Sequence, residues 1–182
     1  MVVAKNNESH EFLSAQLKDK SMGRYYIAVA TPPLKDDITV IEGNIGRSSK
    51  NRLKMSCGLE HSKYAKTMFK QLALSTDGKN QLLACKLFTG RTHQIRVHLE
   101  TINRHILGDH IYGVSPHQDK SERILLHAYM IYFNHPKTGE KMFFKAELDE
   151  IMKTSIDKKF NLESLNEVMD TKYIMDSFVT NP

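Results

Sequence analysis

The sequence has no tryptophan, only two cysteines and no apolar run of membrane-spanning length. A transmembrane helix needs about 20 consecutive apolar residues, so a membrane-spanning protein is not expected. The first residues, MVVAKNNES, lack the basic start and long apolar core of a secretory signal peptide. No internal repeat or low-complexity segment is visible. We therefore expect a soluble cytoplasmic protein.

Metal-ligand spacing is also absent. Cys57 and Cys85 do not form a recognisable metal motif, and free thiols in a reducing compartment are the expectation. The nine histidines are scattered, so a metal hydrolase is the weakest of the functions considered, and no metal site is predicted. Metal analysis of the purified protein would test this.

The length and charge favour one globular domain with a polyanionic partner. A chain of 182 residues with 40% hydrophobic content can bury one proper core. The formal net charge is +5 at pH 7, a moderate bias toward ligands such as nucleic acid.

The chain is organised around residues 81–113, QLLACKLFTGRTHQIRVHLETINRHILGDHIYG. Residues 81–88 are predicted to be a strand that Thr89 and Gly90 end. A helix follows, with Thr92 as its expected N-cap. Its apolar stripe consists of Ile95, Leu99 and Ile102.

Four polar side chains occupy the start of this helix: Arg91, His93, Arg96 and His98. One interpretation is a surface helix with a charged rim. The other is a site, because an arginine that flanks a buried face can pair with a carboxylate or grip a phosphate. The residues by themselves leave both open.

The segment GNIGRSSKNRLKMS, residues 43–56, is densely basic and is predicted to be a loop or hairpin. Its cations are Arg47, Lys50, Arg52 and Lys54. The segment is either a solvated charged hairpin or a finger that grips phosphates.

The remaining pattern indicates an α+β fold with a largely antiparallel sheet. Strands are predicted over residues 24–30, 38–41, 124–133 and 142–146, and residues 1–4 resemble the second half of a strand. Residues 65–74 fit helix or strand equally. Helices are predicted over residues 9–18 and near the C-terminus, the last two using Leu148, Ile151 and Met152, and Leu162, Leu165 and Met169.

TGRTHQIRVHL followed by ILGDHIYG closely resembles the signature of the ribosomal large-subunit pseudouridine synthases of the RluA/RluD type. Members read TGR(T/S)HQ(I/L)RVH and then P-ILGD-x-x-YG; His105 stands here where proline is common. The resemblance extends from the first residues to about Leu148. It implies the pseudouridine synthase fold, a bent, largely antiparallel mixed sheet with flanking helices and a central RNA cleft. It also makes residues 65–74 a strand, since Ala65, Thr67 and Phe69 match A-x-T-x-(F/Y).

The resemblance implies roles for individual residues. The family's (K/R)-x-Y-x-A is matched by Arg24, Tyr26 and Ala28, which puts Tyr26 against the target base. Arg96 matches the arginine that pairs with the catalytic carboxylate, and Leu126 of RILLHA lies against the base pocket. The roles expected for the rest are structural for Asp109, structural or RNA-facing for Arg91 and His93, and phosphate-gripping for Arg47, Lys50, Arg52 and Lys54.

The family's nucleophile, an aspartate in a motif such as HRLD-x-x-TSG, has no counterpart from Asp19 to Asp176. We expect it just upstream of Met1. Residues 1–182 then form one catalytic domain truncated at its N-terminus, without the separate N-terminal RNA-binding domain of some members. That corresponds to a cloned fragment, a proteolytic remnant or the product of a split gene.

Two interpretations follow from the resemblance. The first is an enzyme that isomerises uridine to pseudouridine in large-subunit ribosomal RNA, with no cofactor, and is inactive as this chain alone. The second is a catalytically inactive RNA-binding remnant. If residues 1–4 lack the strand that completes them, we expect an exposed sheet edge and a tendency to self-associate.

Overall fold

The computed structural model describes residues 2–115, 117, 119, 121–161, 165 and 167–178. Helices and strands follow in the order α1 Asn7–Asp19, β1 Gly23–Thr31, β2 Ile38–Arg47, β3 Met55–Cys57, β4 Lys63–Leu74, β5 Gln81–Leu87, α2 Gln94–Thr101, β6 His105–Ile106, β7 Leu126–Asn134, β8 Lys141–Lys145, α3 Glu150–Lys159 and α4 Thr171–Asp176.

One eight-stranded sheet organises these elements. Its strand order is β3-β2-β4-β5-β1-β7-β8, with β6 paired to β1. Every pairing among the described strands is antiparallel. The predicted α+β class and antiparallel sheet are confirmed. The expectation of a mixed sheet is not met in this part of the chain, because no pair of described strands runs parallel.

The register separates the two faces of the sheet. Tyr26 of β1 lies opposite Cys85 of β5 and Ala128 of β7, and directly opposed residues project to the same face. Cys85 in turn opposes Phe69 of β4. Tyr25 points to the other face, where its ring lies 5.5 Å from that of Phe178, just after α4.

Helix α2 covers the Tyr26 face. Thr67 lies two residues from Phe69 along β4, so it shares this face, and its hydroxyl bonds with Gln94 and His98 of α2. Helix α1 is fixed at the end of β7, because the Gln16 amide exchanges two hydrogen bonds with the backbone of Asn134. The face that carries Tyr26 is therefore bordered by both helices.

Most of the predicted elements are confirmed: α1, β1, β4, the strand that precedes α2, and the β7–β8 hairpin. Strand β2 runs beyond the predicted end at Ile41 to Arg47, because pairing with β4 continues past Gly43. Of the last predicted helix, Leu165 is helical, Met169 is in a turn and Leu162 lies outside the described residues. Helix α4 was not predicted.

Two local predictions are wrong. Residues 2–4 are in no strand, and Met1 lies outside the described residues. The chain turns into α1 instead, where the Asn6 side chain accepts a hydrogen bond from the Ser9 amide. The edge strand predicted at residues 1–4, and the self-association inferred from it, therefore have no support at these residues.

Thr92 is not the N-cap of α2. The capping residue is His93, whose backbone is left-handed at φ 57° and whose side chain does not cap the helix. The Gln94 side chain closes the turn in its place: its Oε1 accepts from the Thr89 hydroxyl at 2.8 Å and from the Arg91 amide at 2.9 Å.

Candidate functional site

A cavity of about 800 Å³ opens over the face of the sheet that carries Tyr26, above β1, β7 and β8 and beside the end of α1. Tyr26 and Arg24 of β1 line it, together with Val2, Ala128 and Lys145. Most of the other lining side chains are aliphatic or aromatic. None of the described residues that line it carries a carboxylate. We call it the Tyr26 cavity; it combines an aromatic ring, an apolar wall and two cations.

Arg24 reaches from the Tyr26 cavity toward α2. A Cβ on Gly90 would lie only 2.7 Å from Arg24 Nη2, so the guanidinium lies directly against the turn before α2. Its Nε is buried and has no hydrogen-bond partner in the described part of the chain. Leu126 opposes Ala28, two residues along β1 from Tyr26, and so lies on the same face. The structure thus brings Tyr26, Leu126 and Arg24 to one region.

The turn formed by residues 89–93 is fixed to β4 by side chains. The Gln94 amide donates to the Lys66 carbonyl at 3.0 Å and to the Thr67 hydroxyl at 2.9 Å. Arg91 Nε donates to the Tyr64 carbonyl at 2.9 Å. The turn therefore has a defined position between β4 and the Tyr26 cavity.

His98 belongs to the core rather than to a site. It is fully buried, and its Nδ1 lies 2.8 Å from the Thr67 hydroxyl. Burial lowers the pKa of His98 to about 4, so the imidazole is neutral at pH 7. Periodicity had grouped it with the polar helix start; only the packing of α2 on β4 identifies it as a core residue.

Arg96 is paired with Asp109 through both prongs of its fork. Nε donates to Oδ2 and Nη2 to Oδ1, each at 2.7 Å, and the Asp109 side chain is inaccessible to solvent. Asp109 Oδ1 also accepts from the amides of Ile111 and Tyr112. Burial by itself raises the pKa of the Asp109 carboxyl, but Arg96 and these amides outweigh it and hold the pKa below its usual value.

Tyr112 connects this ion pair to β3. The Arg96 guanidinium lies over its ring, 4.7 Å from the centroid. Its hydroxyl accepts a hydrogen bond from the Met55 amide at 2.6 Å and lies 2.9 Å from His93 Nδ1. Tyr112 and Gln94 were not among the residues predicted to be functional, although both lie inside the quoted motifs.

The basic hairpin, which we define as Arg47, the loop of residues 48–54 and β3, forms one edge of the sheet. Arg47, Lys50 and Arg52 are exposed, as is Leu53. Lys54 differs from the other three cations, since its ammonium is paired with Glu100 of α2 at 2.7 Å. Arg47 Nη1 donates to the Arg52 carbonyl within the hairpin, but in the described part of the chain none of these three cations is paired with a carboxylate. The fourth cation connects the hairpin to α2.

The basic hairpin, the turn of residues 89–93 and the Tyr26 cavity follow one another across the sheet. The register places Tyr26, Cys85, Phe69 and Thr39 opposite one another, so Thr39 of β2 lies three strand spacings, or about 14 Å, from Tyr26. Arg47 lies eight residues further along β2, about 26 Å at the usual rise of a strand. Arg91 and His93 belong to the turn between them. A polyanion that contacts both ends therefore spans about 30 Å.

Neither a metal site nor a membrane-spanning helix is present among the described residues. In that part of the chain, no group of three or more His, Cys, Asp or Glu side chains is placed to hold a metal ion. None of its helices is both long and apolar enough to cross a bilayer.

The Arg96–Asp109 pair generates a prediction on stability. Asp109→Asn leaves the arginine without its counter-charge and should lower the free energy of unfolding at pH 7 by about 3 kcal/mol. The folded-state pKa of Asp109 is depressed, so its contribution is complete above the unfolded value of 3.8 and is lost as pH falls through the folded value. The difference between the two proteins in urea denaturation should therefore shrink below about pH 4.

The matched control is Asp37→Asn, because Asp37 pairs with Lys70 at the surface with an exposed carboxylate. Its cost should stay within about 1 kcal/mol. Equal costs for the two variants would contradict the structural importance of the Arg96–Asp109 pair.

Comparison with known proteins gives consistent matches. The profile of a family described as RNA pseudouridylate synthase matches residues 1–101, more than half of the chain. An RNA pseudouridine synthase of Helicobacter pylori (strain J99) is 47% identical over 184 residues, covering 98% of this chain and 56% of the relative. The ribosomal large subunit pseudouridine synthase D of Borreliella burgdorferi is 33% identical over 170 residues, covering 93% and 51%. The chain thus spans about half the length of these curated relatives.

A solved structure shares the fold. The human RNA pseudouridylate synthase domain containing 1 superimposes with a TM-score of 0.72 at 21% identity, over 99% of this chain and 75% of the human chain. At that identity the likeness establishes the architecture, which agrees with the predicted pseudouridine synthase fold.

Proposed function

Because the chain belongs to the RNA pseudouridine synthase family, we propose that it forms most of a catalytic domain that isomerises uridine to pseudouridine in large-subunit ribosomal RNA. The observation that carries the proposal is the Tyr26 cavity, where an aromatic ring and an arginine with an unbonded Nε share an apolar pocket. The choice of RNA rests on the name of the Borreliella burgdorferi relative. Action on ribosomal RNA in the cytoplasm is part of the proposal.

The reaction exchanges one bond to the sugar for another. The bond from N1 of the base to the sugar breaks, the base rotates, and a bond from C5 to the same sugar carbon forms. The C5 proton is lost and N1 gains a proton, so neither an oxidant nor a cofactor is required. An aspartate nucleophile fits this chemistry, and we propose that it comes from an HRLD-type segment ahead of Met1. Val2 lines the Tyr26 cavity, which supports entry of that segment from this side.

Tyr26 in the cavity, and Leu126 beside it on the same face of the sheet, would receive the flipped base. A base that leaves its stack needs an aromatic face and an apolar wall. Arg24 is a candidate for keeping the entering carboxylate charged, because it lines the cavity and its buried Nε has no hydrogen-bond partner in the described part of the chain. The assignment of that role to Arg96 stays a prediction, and the bonds of Arg96 to Asp109 favour Arg24.

Outside the cavity, the basic hairpin would hold the RNA by its phosphates. Arg47, Lys50 and Arg52 are the exposed cations, and Arg91 and His93 continue the path toward Tyr26. Lys54 was proposed for the same role, but its pairing with Glu100 favours a structural one.

A second candidate function is a catalytically inactive RNA-binding remnant. One observation favours it: no carboxylate lines the Tyr26 cavity among the described residues. The two functions share the RNA surface and differ only in whether an upstream segment completes the site.

Replacing Arg47, Lys50 and Arg52 together by Ala should weaken binding of an unmodified large-subunit rRNA fragment. The log-log dependence of affinity on salt should become shallower by roughly two units, because each lost phosphate contact removes about 0.7 to 0.9 of a unit. Fluorescence anisotropy at several salt concentrations measures the affinity and its dependence on salt. The control replaces Lys137, Lys158 and Lys172, three exposed lysines elsewhere, and removes the same charge. Equal losses in the two triple variants would remove the hairpin from the interface.

Fusing an HRLD-x-x-TSG segment in frame before Met1 should produce pseudouridine in that rRNA, whereas the chain alone should produce none. In the fusion, Tyr26→Phe should retain RNA binding with slow turnover, and Tyr26→Ala should lose both, because stacking needs the ring. Mass spectrometry of labelled RNA digests detects the product. An inactive fusion that still binds RNA would favour the remnant, and full activity of Tyr26→Ala would place Tyr26 outside the site.

The same fusion shows which of Arg24 and Arg96 orients the catalytic carboxylate. Arg24→Lys and Arg96→Lys both keep a positive charge. Turnover should fall further for Arg24→Lys if Arg24 orients the carboxylate, and the reverse order would return that role to Arg96.

A further inference from the structure

We propose that Tyr112 is a positioning residue whose hydroxyl holds the basic hairpin against α2 and so sets where the hairpin meets RNA. The inference rests on the proposed function, because it concerns how the same RNA surface is held. Tyr112 has no surface for RNA of its own, since it is 95% buried. Its effect on RNA must therefore pass through the groups it touches.

The ring of Tyr112 is held independently of its hydroxyl. It packs in a small core with Ile45, Ala65 and Val97. Arg96 lies over the ring, and the His93 ring meets it edge-on, with 5.5 Å between centroids. Phenylalanine at this position would keep those contacts and lose only the hydroxyl.

The hydroxyl is saturated by two neighbours on different elements. It accepts from the Met55 amide at 2.6 Å, and its own proton is then free to go to His93 Nδ1 at 2.9 Å. That arrangement needs a neutral imidazole whose Nδ1 carries no proton. Burial, followed by the charge of Arg96, lowers the pKa of His93, which agrees with it.

The hairpin needs this support because β3 is short. It has only three residues and pairs with β2 alone, at the edge of the sheet. Only three residue pairs join β3 to β2, so the ladder alone holds this edge weakly. The Met55 amide donates to Tyr112, at the point where the basic loop returns to the sheet. This hydrogen bond connects the returning end of the loop to the turn after β6, and the Lys54–Glu100 pair connects the same end to α2.

Tyr112→Phe should therefore weaken binding of the large-subunit rRNA fragment by about five-fold, the effect of losing one buried hydrogen bond. The same substitution in the Arg47/Lys50/Arg52→Ala background should have no further effect, because the cations that it positions are gone. Amide exchange at residues 48–57 should accelerate, while exchange in β1 stays slow. The control is Tyr173→Phe, which removes the hydroxyl of a half-exposed tyrosine on α4.

A second variant removes the same hydrogen bond from the donor side. An amide-to-ester change at the bond between Lys54 and Met55 replaces the donating N–H by oxygen and adds no atom against the Tyr112 hydroxyl. It should reproduce the loss of affinity and its dependence on the three hairpin cations. It decides the outcome if Tyr112→Phe fails to fold.

The outcomes separate the inference from the proposed function. Equal losses from Tyr112→Phe with and without the hairpin cations would mean that Tyr112 acts on the whole fold, and the inference would be wrong. Unchanged affinity in both Tyr112→Phe and the Met55 ester variant, with the triple variant still weakened, would overturn the inference and leave the proposed function intact. A chain that does not bind the rRNA fragment at all would overturn both.

Discussion

The buried ion pair between Arg96 and Asp109 is the interaction on which the arrangement of the proposed RNA surface depends. A carboxylate with no solvent contact needs a charged partner and hydrogen bonds, and Arg96 with the amides of Ile111 and Tyr112 supplies them. The pair joins α2 to the turn after β6. It thereby fixes the Tyr112 ring under the Arg96 guanidinium, from where the hydroxyl reaches the Met55 amide.

Helix α2 and the turn before it lie between two different environments. On one side is the basic hairpin, whose exposed cations suit a polyanion; on the other is the Tyr26 cavity, whose apolar wall suits a flipped base. Gln94 and His98 fix α2 to Thr67 of β4, so the helix cannot shift without breaking buried hydrogen bonds. Rigid spacing of this kind is what a site needs when one RNA strand must contact both regions.

Sequence patterns predicted the elements better than the partners of individual side chains. Alternation and helical spacing found α1, β1 and the strand-turn-helix around residues 81–102, and the motif identified Tyr26 and Leu126, which the fold brings to one face. The partner of Arg96 could not be predicted from helical spacing, because Asp109 lies beyond β6 in the chain and meets Arg96 only through the tertiary fold. Thr92 failed as a cap because the Gln94 side chain, directed to β4, closes the same turn. Both errors concern which side chains meet in the folded protein, and the spacing of apolar residues does not predict that.

The most direct test of the account is an amide-exchange map of this chain with and without an unmodified large-subunit rRNA fragment. If the RNA crosses from the hairpin to the cavity, protection should appear together in residues 47–57, in the turn of residues 89–93 and in the segments of β1 and β7 that line the Tyr26 cavity. Residues 171–178, next to the opposite face, should exchange as they do in the free protein. Protection confined to residues 171–178, or to the hairpin without the cavity, would contradict a single RNA path across the face that carries Tyr26.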